Sequence, residues 1–98
     1  LEANYDDFML RTGPYPLHIK ERILSPNGHL SNDDCGAQAR KLIENGTTHL
    51  ILGHLSQDNN QPYIADKTVA ACLSDMERGK DYLMGVAPVE TQGGAVIF

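Results

Sequence analysis

Ninety-eight residues carry a formal charge of −5, with 41% hydrophobic and 21% charged side chains, the proportions of an ordinary globular domain and not of a disordered or fibrous chain. That length leaves room for one domain, residues 1–98, with a marginal core. The acidic balance provides no basic stripe and argues against broad binding of nucleic acid or membrane through this surface alone.

The chain opens Leu1-Glu2-Ala3-Asn4-Tyr5, without an initiator Met, a basic region or an apolar run. It reads as cut from something longer and carries no secretory signal. No segment approaches the roughly 18 apolar residues of a membrane span, so no membrane partner is expected and the expected compartment is cytoplasmic. Residues 5–11 suit a short helix, stopped by Thr12-Gly13-Pro14. A second helix fits 17–24, with Leu17, Lys20 and Leu24 on one side and Ile19 and Ile23 on another. Ser25-Pro26-Asn27-Gly28 is a turn. Ser31 or Asn32 can cap the next helix, with Asp33 and Asp34 in its first turn where the helix dipole favours them, and Ala37, Ala39, Leu42 and Ile43 on its buried side. Asn45-Gly46 ends it.

Thr47 to Leu52 is β-rich and apolar at its end, as a buried parallel strand would be. Gly53-His54-Leu55-Ser56 and a polar loop, 57–61, follow. Asp58-Asn59-Asn60 in that loop is expected to order itself through Asx hydrogen bonds. Pro62 can open a helix running to Arg78, with Gly79 as its stop. Tyr82–Val86 reads as a strand, 91–94 as a turn and 95–98 as a last strand. Helices, strand, helix, strand, strand make a layered α/β fold with a thin sheet. The 49–52 strand needs neighbours on both edges, supplied by a missing amino-terminal segment or by another copy of the chain.

Three stretches carry a family resemblance: Glu2-Ala3-Asn4-Tyr5-Asp6, Gly28-His29-Leu30-Ser31-Asn32 opening a helix, and Leu50-Ile51-Leu52-Gly53-His54-Leu55-Ser56, a strand running into a histidine. In order and spacing they resemble the carboxyl-terminal part of metallo-β-lactamase-fold hydrolases, within them the YycJ/WalJ-like subgroup related to ribonuclease Z. Met9-Leu10-Arg11, Gly13-Pro14-Tyr15-Pro16 and Asp58-Asn59-Asn60 resemble the same subgroup. The resemblance implies an α/β fold that is half of a four-layer αββα sandwich, the other half being absent. It implies exonuclease action on DNA by an intact enzyme with two divalent metal ions, zinc or manganese, that activate water and clamp the attacking and leaving oxygens. The family's HxHxDH motif is missing: the four histidines, His18, His29, His49 and His54, are not spaced that way. Tyr5 stands where the subgroup more often has His.

The resemblance assigns His54 as a ligand of the second metal. A histidine just past the carboxyl end of a parallel strand is where α/β folds collect ligands, and neutral imidazole suits zinc. It makes His29 and Glu2 a catalytic pair near the scissile phosphate, the carboxylate fixing the ring's tautomer and the other nitrogen donating to the leaving oxygen. One ligand cannot hold a metal tightly, so the isolated chain is expected to bind none and to be inactive. The plainer readings are a hydrogen-bonded strand-end histidine for His54, a turn residue for His29 and an exposed charge for Glu2. Asp6 and Asp7 are read as first-turn helix residues, Ser31 and Ser56 as caps, His18 and His49 as surface and strand histidines, Gly93-Gly94 as a turn, and Cys35 and Cys72 as reduced helix residues. Two further readings compete: a non-enzymatic α/β module binding a partner through an exposed sheet edge, and a superfamily member acting on a thioester or lactam. Exposed apolar surface left by a half sandwich is expected to drive self-association into a homo-oligomer.

Overall fold

A computed structural model describes residues 1–25 and 28–87. The turn expected at 91–94 and the strand at 95–98 lie outside the described residues, as do Pro26 and Asn27. In chain order the elements are α1 (Asp7–Thr12), α2 (Leu17–Leu24), α3 (Asn32–Glu44), β1 (His49–Leu52), α4 (Pro62–Cys72) and β2 (Leu83–Val86). The two strands pair in parallel, His49 opposite Leu83 through Leu52 opposite Val86. α4 is the connection between them, as a parallel pair requires.

The first helix begins later than its sequence suggests. Asp6 takes the N-cap position and its side chain accepts from the Met9 N–H, leaving Asp7 as the acidic residue of the first turn. Tyr5 is not helical; it is bridged to Ser31. α2 keeps the expected bounds but buries no residue fully, and Leu17 is exposed. In α3, Ser31 is the N-cap and accepts from the Asp34 N–H at 3.1 Å. The helix buries Asn32, Cys35, Gly36 and Ala39, while Ala37 and Leu42 face out. The true stripe lies about one residue round from the expected one because α4 packs over Gly36. An added Cβ there would collide with the Cys72 sulfur and come within 2.9 Å of its Cβ. We predict that Gly36→Ala destabilises by about 1–2 kcal/mol, overpacking outweighing Ala's better helix propensity. An unchanged urea midpoint would refute this.

α4 ends at Cys72, six residues before Arg78, where the continuous apolar pattern suggested it would stop. The Ser74–Asp81 stretch is turn instead: Asp81 accepts from the Glu77 N–H at 2.7 Å, and Gly79 at φ +89° completes the reversal into β2. Arg78 secures it with a two-pronged pair to Asp66 of α4 and a bond to the Met84 carbonyl. Arg40 makes a second fork, to Asp75, which holds that carboxyl down at about 2. Both cysteines are free thiols in α3 and α4. Burial pushes Cys35 up to about 11, keeping it protonated and inert.

The expectation of a strand buried on both faces is overturned. β1 alternates exposed and buried: Leu50 and Leu52 point into a core with Ala39, Leu55, Ala65, Val69 and Leu73, whereas Ile51 is 49% exposed. Leu83 beside it is 48% exposed. α3 and α4 cover one face of the sheet; on the other lies an open groove of about 400 Å³ lined by His49, Ile51, Leu83 and Gly85, with Arg78 and Gly79 at its end.

Candidate functional site

The second edge of β1 is occupied from within the chain. Gly53 donates to the Leu1 carbonyl at 2.9 Å and accepts from the Ala3 N–H at 2.9 Å, a parallel bridge between Gly53 and Glu2. Even-numbered β1 residues bond to β2, as Leu83 N–H does to Thr48 O and Ala87 N–H to Leu52 O. Odd-numbered ones face the opening segment. That segment also pairs with the 30–32 stretch: Asn4 N–H donates to Leu30 O at 3.0 Å and Asn32 N–H to Tyr5 O at 2.9 Å. Four extended segments thus lie side by side in the order 30–32, 1–5, β1, β2.

This array brings the sequence-predicted residues to one end of the sheet. Glu2 Oε1 accepts from the Leu30 N–H at 2.7 Å and lies 3.5 Å from His29 Nδ1. At that separation the contact with His29 is electrostatic and not a hydrogen bond. His29 is half exposed and Glu2 less so. His54 follows Gly53 directly, with its imidazole at the surface and Leu55 fully buried behind it. His54 has φ +55°, the left-handed region that non-glycine residues seldom occupy. His54 therefore lies on an open rim and not in a closed apolar interior.

The remaining candidates take the plain roles. His18 is exposed on α2, and His49 Nδ1 lies 3.0 Å from Thr48 Oγ1. Ser56 Oγ accepts from the Asn59 N–H, a turn-closing bond. Tyr5 is buried, and burial first, then Asp34 and Asp7, pushes its hydroxyl above the ordinary phenol value. It packs where a histidine would carry a proton.

Sequence reasoning missed Asn59 and Asn60. Instead of ordering only their own loop, both are buried and tie it to other segments. Asn60 and Asn32 exchange amide hydrogen bonds at 2.8 and 2.9 Å; Asn60 also donates to Ala3 O and accepts from its neighbour's Gln61 N–H, both at 2.9 Å. Asn59 accepts through its carbonyl from Asp6 N–H at 2.8 Å. Two adjacent asparagines in a polar loop look like solvent-facing turn residues; nothing in their spacing distinguishes them from a buried clamp.

Among the described residues, no group of three or more His, Cys, Asp or Glu side chains is placed to hold a metal ion. His54 offers a single nitrogen donor, so these residues do not by themselves fit the metals the resemblance implies. No helix among the described residues is long and apolar enough to cross a membrane.

Comparison with known proteins agrees with the sequence resemblance. The chain is 43% identical over 74 residues to the exodeoxyribonuclease YycJ of Bacillus anthracis, and 44% identical over 80 residues to the exodeoxyribonuclease WalJ of Streptococcus pneumoniae, in both its D39 and R6 strains. The chain is YycJ/WalJ-like. The matches cover 76–81% of this chain but only 28–29% of those relatives, so the YycJ/WalJ-like chain spans under a third of their length. No family model and no solved structure matches it.

Proposed function

We propose that the chain is the carboxyl-terminal part of a metallo-β-lactamase-fold hydrolase, an exonuclease acting on nucleic acid. His54 supplies one metal ligand, and Glu2 with His29 form a proton-handling pair. The observation that carries this reading is the convergence of all three residues at one end of the parallel array, with named exodeoxyribonucleases as relatives. Ligands converge at the carboxyl ends of parallel strands in α/β folds generally. The remaining metal ligands come from outside these 98 residues, which on their own are inactive.

The uncovered sheet face supports the half-sandwich architecture: helices lie on one side, and the apolar Ile51–Leu83 face is left for a second sheet. In this reading the partner of the chain is the amino-terminal half of the same domain. Without it, copies of the chain associate through that face.

The test is DNA degradation by the longer protein that contains this sequence, with and without chelator. Chelator-sensitive exonuclease activity is expected, and none from the 98 residues alone. A longer protein inert toward DNA would overturn the reading in favour of a non-enzymatic module. Glu2→Gln isolates the carboxylate's charge, since a carbonyl oxygen still faces Leu30 N–H. Turnover is predicted to fall roughly tenfold or more with the urea midpoint nearly unchanged. Undiminished turnover would remove Glu2 from the site.

A further inference from the structure

His54 is the sole described non-glycine residue with positive φ, and its backbone is held by one side chain. Asn4 Nδ2 donates to the His54 carbonyl at 2.7 Å. The same residue accepts from Ser56 N–H at 2.7 Å through its own carbonyl and donates its N–H to Leu30 O at 3.0 Å. Asn4 therefore touches both loops that carry histidines: the one after β1, on either side of Leu55, and the one immediately after His29. Its two main-chain bonds belong to the extended array and persist with any side chain. The amide bond to His54 O is the one contribution specific to asparagine.

A left-handed conformation costs an L-residue roughly 1–2 kcal/mol and persists only where its surroundings hold it. Gly53 is fixed on one side by Leu1 and Ala3, and Leu55 on the other by burial in the core. The peptide following His54 is held by Asn4. With it released, residue 54 is free to relax toward negative φ, which swings the imidazole away from the rim it shares with Glu2 and His29.

We propose that Asn4 is a positioning residue: its side-chain amide locks His54 in the left-handed conformation that directs the imidazole toward the Glu2–His29 end of the array. The functional half of this statement rests on the nuclease reading above; the conformational half does not.

Two arms separate them. In the 98-residue chain, NMR carbon shifts and the amide–Hα coupling of His54 report its φ directly. Asn4→Ala, and Asn4→Asp with the same shape but no N–H to donate, are expected to move those signals away from left-handed values. Amide protection of Ala3 and Asn32 should stay in place, which separates loss of the lock from loss of the array. Unchanged His54 signals in both variants would overturn the proposal. In the longer protein, Asn4→Ala is expected to lower kcat for DNA hydrolysis at least fivefold with KM within about twofold. Unchanged kcat would also overturn the positioning role. Absence of wild-type hydrolysis would sink the nuclease reading alone and leave the lock to be decided by the first arm.

Discussion

Replacing His54 by glycine is expected to abolish nucleic-acid hydrolysis by the longer protein while leaving the fold as stable as before, or more so. The two halves of this expectation have separate causes. Removing a ligand costs more than disturbing a ligand's supporting contacts, which typically costs 10–100-fold, so a fall of about 100-fold or more is predicted. For stability, φ +55° penalises any L-residue by roughly 1–2 kcal/mol, whereas glycine adopts it freely. Glycine's greater freedom in the unfolded chain offsets about 0.5–1 kcal/mol of that gain. The net change lies between about zero and 1 kcal/mol in favour of the variant. Urea unfolding of the 98-residue chain and turnover of the longer protein, measured in parallel, decide the matter. A destabilised variant with normal turnover would mean that His54 is a structural residue. A strained conformation kept at a histidine, where glycine would sit without strain, is what a functional constraint leaves behind.

Asn60→Ala should have the largest effect on stability. The buried amide makes four hydrogen bonds, and truncation strands Ala3 O, both ends of the fully buried Asn32 amide, and the Gln61 N–H. Each stranded buried group costs about 1–3 kcal/mol. Even at the low end the sum is roughly 3 kcal/mol, a large share of the 5–15 kcal/mol that holds a domain of this size. The urea midpoint should fall by about 2 M. The protection of Ala3 N–H against hydrogen exchange should be lost first, because Asn60 holds the opening segment on the α3 side as Gly53 does on the β1 side. A midpoint shift worth under about 0.5 kcal/mol would show that the amide pair is dispensable.

Local signals in the sequence located most elements. The Ser31 cap, the Pro62 start and the β-rich 49–52 run place α3, α4 and β1 because each depends on neighbours within a few residues. What escaped were features set by distant partners. α4 stops at Cys72 although the apolar pattern continues through Met76, because Asp81 and Arg78 build a turn from contacts with Glu77, Asp66 and Met84. Tyr5 is extended because Ser31 pairs with it, not because its own neighbours prefer that state. The site divided the same way. Glu2, His29 and His54 were legible from motif resemblance, and the array places them together. The asparagines that hold the array were illegible, since a buried amide and a solvated one are written with the same letter.

The bare side of the two-stranded sheet has a calorimetric consequence. Ile51 and Leu83 are already half hydrated in the native chain, so melting wets less new hydrocarbon than in a fully clothed domain. The heat-capacity increment of unfolding should fall below the usual 12–15 cal/mol/K per residue, as scanning calorimetry can measure, and the stability curve should be correspondingly flat. Warming and cooling would then alter the native population only gently, leaving this domain governed less by temperature than by whatever shields those two side chains from water.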